Sequence, residues 1–311
     1  MSKENLHSAK MQLVSLLGDK ENLERLLHLE KQRRGVSKDV LVFIGMADVA
    51  AYYWCAMKSL YKNREMELTF FATYLYDRIS YSLQLGLIKD LPQSPEKILE
   101  IGDEIDFSDI ERLLAERSAS KITRIAIETT NASGDRIMVV NPVFSLEEFD
   151  FLKQWAKDRK TQVVSLDEAP PTVRGEIIAD AKAEQYPTIR WNFAWDRYVV
   201  VGVPDGITSE FVYEFKSTRN RFLMNFLKPV ALTQADLYGY FFKRNRKRVQ
   251  IYVIEEDKTE TWDTAVDTIR AESVLVKFKE MEMGFIPTPP RAWKCKSCEF
   301  AKSCILRPPN L

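Results

Sequence analysis

Hydrophobic and charged positions predict a helical start to the chain, followed by a segment in which a strand precedes helices. Leucines and charges recur at helical spacing up to residue 32, and the breaker run 33–38 ends that pattern. We therefore predict an N-terminal helical extension over residues 1–38. The next segment, residues 39–91, begins with a strand, and its first helix carries an aromatic run that ends at Cys55. We interpret those aromatic side chains as core.

A small α/β unit is predicted over residues 92–171. A helix is predicted to begin at Ser145, where Glu148 would complete a capping box and Phe144 would pack onto Phe149. Strand-like runs lie on either side of a polar turn and again before the boundary marked by two prolines, and they span residues 121–130, 136–140 and 162–166.

The C-terminal half alternates between strand-like and helix-like patterns. Strands joined by helices indicate an α/β fold in which a mixed sheet is flanked by helices. We place this core at residues 172–286 and a cysteine-bearing tail at 287–311. The predicted elements in chain order are helix 174–185, strands 197–203 and 210–216, helix 233–243, strand 248–254 and helix 263–283.

Composition narrows the class of protein. The 311 residues are 45% hydrophobic, and 45 basic residues balance 45 acidic ones, so no whole-chain charge attracts nucleic acid or membrane. We see no signal peptide and no apolar run of membrane-spanning length, which predicts a soluble cytoplasmic protein without a membrane partner. The two histidines, His7 and His28, lie in the N-terminal segment and exclude a histidine-based site elsewhere.

Two carboxylates and a lysine are predicted to meet at one end of the sheet. A turn at Asp205 separates two strands, and the second strand ends in Glu214, Phe215 and Lys216. Residues two apart on a strand face the same side, so Glu214 and Lys216 project together while Phe215 faces the core. Asp205, Glu214 and the Phe215 carbonyl are hard oxygen ligands suited to Mg²⁺ or Mn²⁺. The alternative is an exposed turn aspartate beside an ordinary charged strand.

The following helix adds two polar residues to this set. Gln234 and Tyr238 are four apart and share one helix face that can meet the carboxylates. We predict that Gln234 opens this helix and that Lys216 acts catalytically, with a depressed pKa or by stabilising developing negative charge.

Cysteines define a second candidate site. Cys295, Cys298 and Cys304 crowd into a loop-like tail, and only Cys55 remains to supply a fourth thiolate. Four thiolates serve zinc or an iron-sulfur cluster, and the spacing favours the cluster because zinc sites usually pair two short Cys-x2-Cys units. Either centre closes a loop of about 240 residues, so we interpret it first as a structural clasp.

Local basic runs offer contacts for DNA in a protein of zero net charge. Basic residues near the predicted site are Lys216, Arg219, Arg221, Lys228 and the run at 243–248. The alternative is that this run is a solvated turn. Phe222, Phe226, Phe241 and Phe242 are candidates for stacking on bases, although we interpret them as core.

With these motifs in hand, the sequence resembles the iron-sulfur branch of RecB-like nucleases, most closely the CRISPR-associated Cas family four. The resemblance covers about residues 39–62 and 173–306. It runs from the aromatic helix that ends at Cys55 to the terminal cysteines. Between them lie the Pro204-Asp205 turn, the Glu-x-Lys strand and the Gln-x3-Tyr helix.

The resemblance implies a PD-(D/E)XK, restriction-endonuclease-like core with Asp205 and Glu214 as metal ligands and Lys216, Gln234 and Tyr238 as further catalytic residues. It also implies a 4Fe–4S cluster, in preference to 2Fe–2S, on the four cysteines. The implied activity is a deoxyribonuclease acting exonucleolytically on single-stranded DNA ends. The implied role is prespacer processing in CRISPR adaptation, with integrase proteins as partners and an oligomer left open.

Two features depart from the family pattern. A histidine usually stands four positions after a glycine in the helix before the strands, whereas Gly175 here is followed at that position by Ala179. Glu176 and Asp180 are candidate substitutes, with a solvated acidic face as the alternative. The second departure is the 92–171 insert. A non-catalytic DNA-binding or assembly subunit with a degenerate site is therefore the alternative function, and a zinc-ribbon protein without a nuclease site is a third.

Overall fold

The computed structural model describes residues 13–14, 17–92, 94–119, 124–131, 133–141, 150–296 and 298–307. Its helices are α1 (Lys20–Arg33), α2 (Met46–Ala50), α3 (Ala56–Leu85), α4 (Pro95–Glu100), α5 (Phe107–Ala115), α6 (Asp150–Asp158), α7 (Pro171–Lys182), α8 (Arg221–Phe241), α9 (Thr268–Glu282) and α10 (Ala292–Cys295). Its strands are β1 (Phe43–Gly45), β2 (Ala126–Thr130), β3 (Arg136–Val140), β4 (Gln162–Val164), β5 (Trp191–Trp195), β6 (Tyr198–Gly202), β7 (Gly206–Ile207), β8 (Phe211–Thr218), β9 (Arg246–Val253) and β10 (Lys258–Ala265).

Three sheets organise these strands. The first has the order β1-β6-β5, the second β10-β9-β8-β7 and the third β2-β3-β4. Each sheet mixes parallel and antiparallel neighbours: β1 runs parallel to β6, β8 to β9 and β3 to β4, and the remaining pairs are antiparallel. The predicted α/β class with mixed sheets flanked by helices is therefore confirmed.

The first-cysteine region and the C-terminal core form one unit. Ile44 of β1 pairs in register with Val200 of β6. A short strand is stable only inside a sheet, and this one is buried at all three residues. The largest apolar cluster also joins residues from 41–60 with residues from 189–281. The predicted segments 39–91 and 172–286 therefore pack together into one unit, although they are separate in the sequence.

The predicted insert divides into two parts. Helices α4 and α5 bury their apolar faces in the two main clusters. Ile98 of α4 belongs to one cluster, and Ile110 of α5 belongs to the other. The sheet β2-β3-β4 instead has a small core of its own, which Val139 of β3 and Ile177 of α7 share. The part of the insert with a separate core therefore begins near residue 124 and not at 92.

Several predicted elements differ from the observed ones. The predicted helix 263–283 begins only at Thr268, because residues of β10 pair along their whole length with β9. The predicted helix 233–243 begins at Arg221, where the Asn220 side chain accepts a hydrogen bond from the Leu223 amide, and it continues through Pro229. The sequence pattern predicted none of the strands β5, β7 and β10. The capping box at Ser145 and Glu148 lies outside the described residues.

No helix within the described ranges combines the length and the apolar character needed to cross a membrane.

Candidate metal and cysteine sites

Asp205 reaches the candidate site through the β7–β8 hairpin. Gly206 pairs with Tyr213 across the hairpin, and the exposed Asp205 side chain accepts a hydrogen bond from the Phe215 amide at 2.8 Å. Gly206 is required here because a Cβ atom at that position would lie 2.6 Å from the Tyr186 Cβ. The hairpin thus ties the turn carboxylate to the middle of β8, as the sequence predicts.

Alternation along β8 places Glu214 and Lys216 on one face. The two side chains form an ion pair, and Glu214 is fully buried, whereas Lys216 keeps 30% of its side chain exposed. Phe215 points to the opposite side and is 4% exposed. The alternation predicted from sequence is confirmed, and the exposed-strand alternative does not describe Glu214.

Gln234 and Tyr238 complete the cluster from α8. The Gln234 Nε2 atom donates to the Glu214 Oε2 atom at 3.1 Å and to the Tyr238 hydroxyl at 2.9 Å. Both residues are buried because α8 packs across β8 and β9. Gln234 lies inside the helix and not at its start, which corrects the predicted helix boundary but leaves the shared face intact.

Burial sets the electrostatics of this cluster. Loss of solvent, together with the negative charge of Asp205, raises the pKa of Glu214 to about 8, although Lys216 opposes the shift. Burial lowers the pKa of Lys216, but the charges of Glu214 and Asp205 outweigh it, so the net direction is upward. Both roles considered for Lys216, a depressed pKa and the stabilisation of developing negative charge, stay predictions.

These groups fit a divalent cation. Asp205, Glu214 and the Phe215 carbonyl offer hard oxygens, and positive charge stabilises a buried glutamate that lies beside a second carboxylate. Magnesium is commonly held by one or two carboxylates together with substrate phosphates. Among the described residues, no three His, Cys, Asp or Glu side chains are grouped so as to hold a metal ion.

The acidic residues of α7 are engaged elsewhere. Glu176 accepts from Arg124 at 2.6 Å, and Asp180 accepts from the same guanidinium at 2.7 Å and 2.9 Å. This pairing ties α7 to the segment that leads into β2. Neither acid is therefore free to replace the histidine that is absent at Ala179. Because both acids pair with an arginine, they also do not form the solvated acidic face considered as the alternative.

Asp48 was not singled out as a site residue by the sequence. It lies on α2, its carboxylate is partly buried, and that burial raises its pKa against the opposing charges of Lys62 and Lys58. Its charge also acts on Lys216 and Tyr238. The helix α2 packs against α8, which brings Asp48 towards the site. In the sequence, the only indication of this role is that Asp48 begins the aromatic motif that ends at Cys55.

The four cysteines line one cavity of about 390 Å³. Cys55 caps the start of α3, Cys295 ends α10, and Cys298 and Cys304 follow in the tail. Burial, together with the charge of neighbouring thiolates, raises the pKa of Cys55 and Cys295. The four thiols line the same cavity without being gathered into a metal-binding group, so their fit to an iron-sulfur cluster or zinc rests on the chemistry of four thiolates and not on their geometry.

Other contacts also join the early helix to the tail. The Lys294 Nζ atom donates to the Trp54 carbonyl at 2.7 Å, and the Trp54 and Trp293 rings meet edge to face with centroids 5.7 Å apart. Lys58 and Glu299 form an ion pair at 3.0 Å. The return of residue 55 to the tail is therefore built from side chains around the thiols as well as from the thiols themselves.

Most of the basic residues considered for DNA contact pair within the protein. Lys247 is 3% exposed and pairs with Asp236, and Arg244 pairs with Glu111 at 2.8 Å. Carboxylates also pair with Arg219, Arg221 and Arg248. The run at 243–248 is therefore largely a structural ion-pair region.

The aromatic candidates divide by exposure. Phe241 and Phe242 are core, whereas Phe222 is 56% exposed. Phe226 packs against Trp293 with ring centroids 5.2 Å apart.

Comparison with known proteins gives little. No family model and no curated protein matches the chain. Among solved structures, the crystal structure of a protein designated SSO0001 is similar over 52% of this chain and 80% of that one, at 17% sequence identity and a TM-score of 0.34. A TM-score of that size does not establish a shared fold.

Proposed function

We propose that this protein is a metal-dependent DNA nuclease with a PD-(D/E)XK-like core, acting on single-stranded DNA ends. The supporting observation is the convergence of Asp205, Glu214, Lys216 and Gln234 from a hairpin, a strand and a helix onto one point. A structural role alone does not require a fully buried glutamate beside a second carboxylate, since each buried charge costs folding free energy.

Each side chain has a role in this proposal. Asp205, Glu214 and the Phe215 carbonyl would hold Mg²⁺ or Mn²⁺, which when bound polarises the scissile phosphate and lowers the pKa of the attacking water. Lys216 stabilises negative charge that develops on the phosphate. Gln234 fixes the Glu214 carboxylate through its amide, and the Tyr238 hydroxyl orients that amide.

The four cysteines would hold an iron-sulfur cluster, 4Fe–4S in preference to 2Fe–2S, that clasps the tail to α3. An anaerobic visible spectrum with iron and sulfide analysis distinguishes this from zinc, because zinc thiolates lack the charge-transfer band near roughly 400 nm. A role in CRISPR adaptation with integrase partners rests on the sequence resemblance alone.

The test is cleavage of end-labelled single-stranded DNA by the full chain with Mn²⁺ or Mg²⁺. We expect Lys216→Ala to lower the rate by about 100-fold or more, the scale seen when one transition-state donor is removed. Lys258→Ala is the matched control, because this lysine is 58% exposed and lies on β10. Circular single-stranded DNA is expected to resist cleavage. Equal degradation by wild type and Lys216→Ala refutes the assignment.

A second candidate is a non-catalytic DNA-binding or assembly subunit. Ala179 stands where the family pattern has a histidine, and the nearby acids of α7 are paired with Arg124. For such a subunit, no metal supports cleavage, and DNA binding survives Lys216→Ala.

A further inference from the structure

A groove lies at the end of β8, where Ser217 and Thr218 follow Lys216. Its volume is about 380 Å³, within the range of roughly 300–1,000 Å³ typical of ligand pockets. One wall is formed by Arg174 and Gly175 of α7 and another by Leu223 and Leu227 of α8. Ser217 and Arg219 lie at its end, so polar and basic groups face an apolar wall.

The polar side of the groove suits a phosphate. Arg174 donates from Nη2 to the Ala169 carbonyl at 3.0 Å, and its Nε atom is closed to solvent, so a contact with a phosphate in the groove falls to the Nη atoms. Among the described residues no carboxylate forms a salt bridge with Arg174. Arg219 does pair with Glu255 at 2.9 Å, but this pair is 72% exposed on the arginine side and therefore weak.

Gly175 keeps the groove open. It stands inside α7, where glycine costs about 1 kcal/mol relative to alanine. A Cβ atom there would meet only the Ser217 Oγ atom at 3.8 Å, an ordinary contact, so backbone packing does not demand glycine. The absence of a side chain therefore leaves space within the groove itself.

Trp54 connects this groove to the cysteine site. Trp54 and Pro171 line both the groove and the cavity that holds the four thiols, and Trp54 directly precedes Cys55. Contacts from Trp293 and Lys294 of the tail hold the indole, with the Lys294 ammonium 4.5 Å from its ring centre. An aromatic face fixed beside a mostly apolar groove that has an arginine at its side has the chemistry of a nucleotide site in a single-strand path.

We infer that this groove holds a nucleotide of a single DNA strand beside Lys216, with its base on Trp54 and its phosphate on Arg174, and that the cysteine clasp fixes the base platform. The inference rests on the proposed function for its choice of DNA. It assigns the cysteine site a role in substrate binding in addition to stability.

The test is fluorescence anisotropy of a labelled oligothymidylate of about 12 nucleotides, in Ca²⁺ with cleavage monitored on gels. We expect Trp54→Ala to weaken binding about tenfold and Trp54→Phe to retain most of it, because one base stack is lost or kept. Arg174→Ala is expected to weaken binding about fivefold and to reduce the salt-dependence slope by about 0.7, the value for one phosphate contact on a single strand.

A groove-filling variant separates this role from folding. Gly175→Leu leaves Trp54 and the thiols unchanged and is expected to weaken binding about tenfold or more by occupying the space of the base. Glu176→Leu is the control, which places the same leucine at an exposed neighbour on α7 and breaks only the part-exposed pair with Arg124, with binding expected within about twofold of wild type.

The outcomes are separable from those of the nuclease test. Wild-type affinity in Gly175→Leu, or no binding of single-stranded DNA by wild type, overturns the groove, whether or not the protein cleaves DNA. Loss in Gly175→Leu with wild-type affinity in Trp54→Ala overturns the base platform. Loss in both variants of a protein that cleaves nothing supports the groove and rejects the nuclease.

Discussion

The carboxylate site and the cysteine site differ in how their residues are held. Glu214 and Gln234 lie within a strand and a helix, are buried, and are joined by a hydrogen bond of 3.1 Å. Cys298 and Cys304 lie in a tail of turns, and both are only partly buried. The first site is thus positioned by backbone pairing and packing, whereas the second depends on side-chain contacts between the early helix and the tail.

The difference indicates where a bound group contributes most to stability. Backbone pairing of β8 with β9 and packing of α8 fix Glu214 before any cation binds. The cysteine cavity instead is lined by four thiols, with raised pKa values at Cys55 and Cys295, and the proposed metal centre would stabilise them as thiolates. We therefore expect the two sites to respond differently to substitution.

The largest effect is expected for Cys55→Ser. Loss of the clasp removes a cross-link that spans about 240 residues of chain, for which the chain-entropy model gives about 5 kcal/mol of unfolding free energy. Urea unfolding of anaerobically purified protein measures this, with Ser59→Ala on α3 as a control outside the thiol set that is expected to cost only about 1 kcal/mol for its hydrogen bond to the Asp48 carbonyl. An unchanged unfolding midpoint means that no metal centre joins these residues.

Next in size is Asp236→Ala on α8. Asp236 is fully buried and pairs with Lys247, which is 3% exposed, so its removal leaves a buried ammonium without its carboxylate and costs about 3–5 kcal/mol. Chemical denaturation checks the loss. Asp263→Ala breaks the part-exposed pair with Arg248 and is expected to cost under about 1 kcal/mol. Equal losses would show that α8 is not fixed by this buried pair.

A smaller effect is expected for Gln234→Leu. The variant removes the amide that donates to the Glu214 carboxylate, a hydrogen bond to a charged group worth about 1.5–3 kcal/mol, and we expect the cleavage rate to fall at least about tenfold. Tyr238→Phe keeps that bond and is expected to have a smaller effect. Single-turnover cleavage measures both, and an unchanged rate in Gln234→Leu removes this residue from the site.

The smallest effect is expected for Lys58→Ala. Its ion pair with Glu299 joins α3 to the tail, but both partners are part exposed, so the loss should stay below about 1 kcal/mol. Comparison of its urea midpoint with that of Cys55→Ser shows whether thiols or surface charges hold the tail. A loss as large as that of Cys55→Ser would assign the clasp to the charges.

The sequence determined the local geometry of the carboxylate site. Period-two alternation on a strand is a property of the backbone, so Glu214 and Lys216 had to share a face once that strand was identified. Four-residue spacing on a helix did the same for Gln234 and Tyr238. Isolation of Cys55 from three clustered cysteines likewise indicated their common site.

Tertiary structure decided what local patterns cannot encode. Residues 258–265 became a strand because β9 supplied its backbone partners, and Pro229 was accommodated within α8. The pairing of Arg124 with Glu176 and Asp180, the approach of Asp48 and the groove beside Trp54 all join residues far apart in the chain. Such contacts depend on packing across the whole fold, which no single segment specifies.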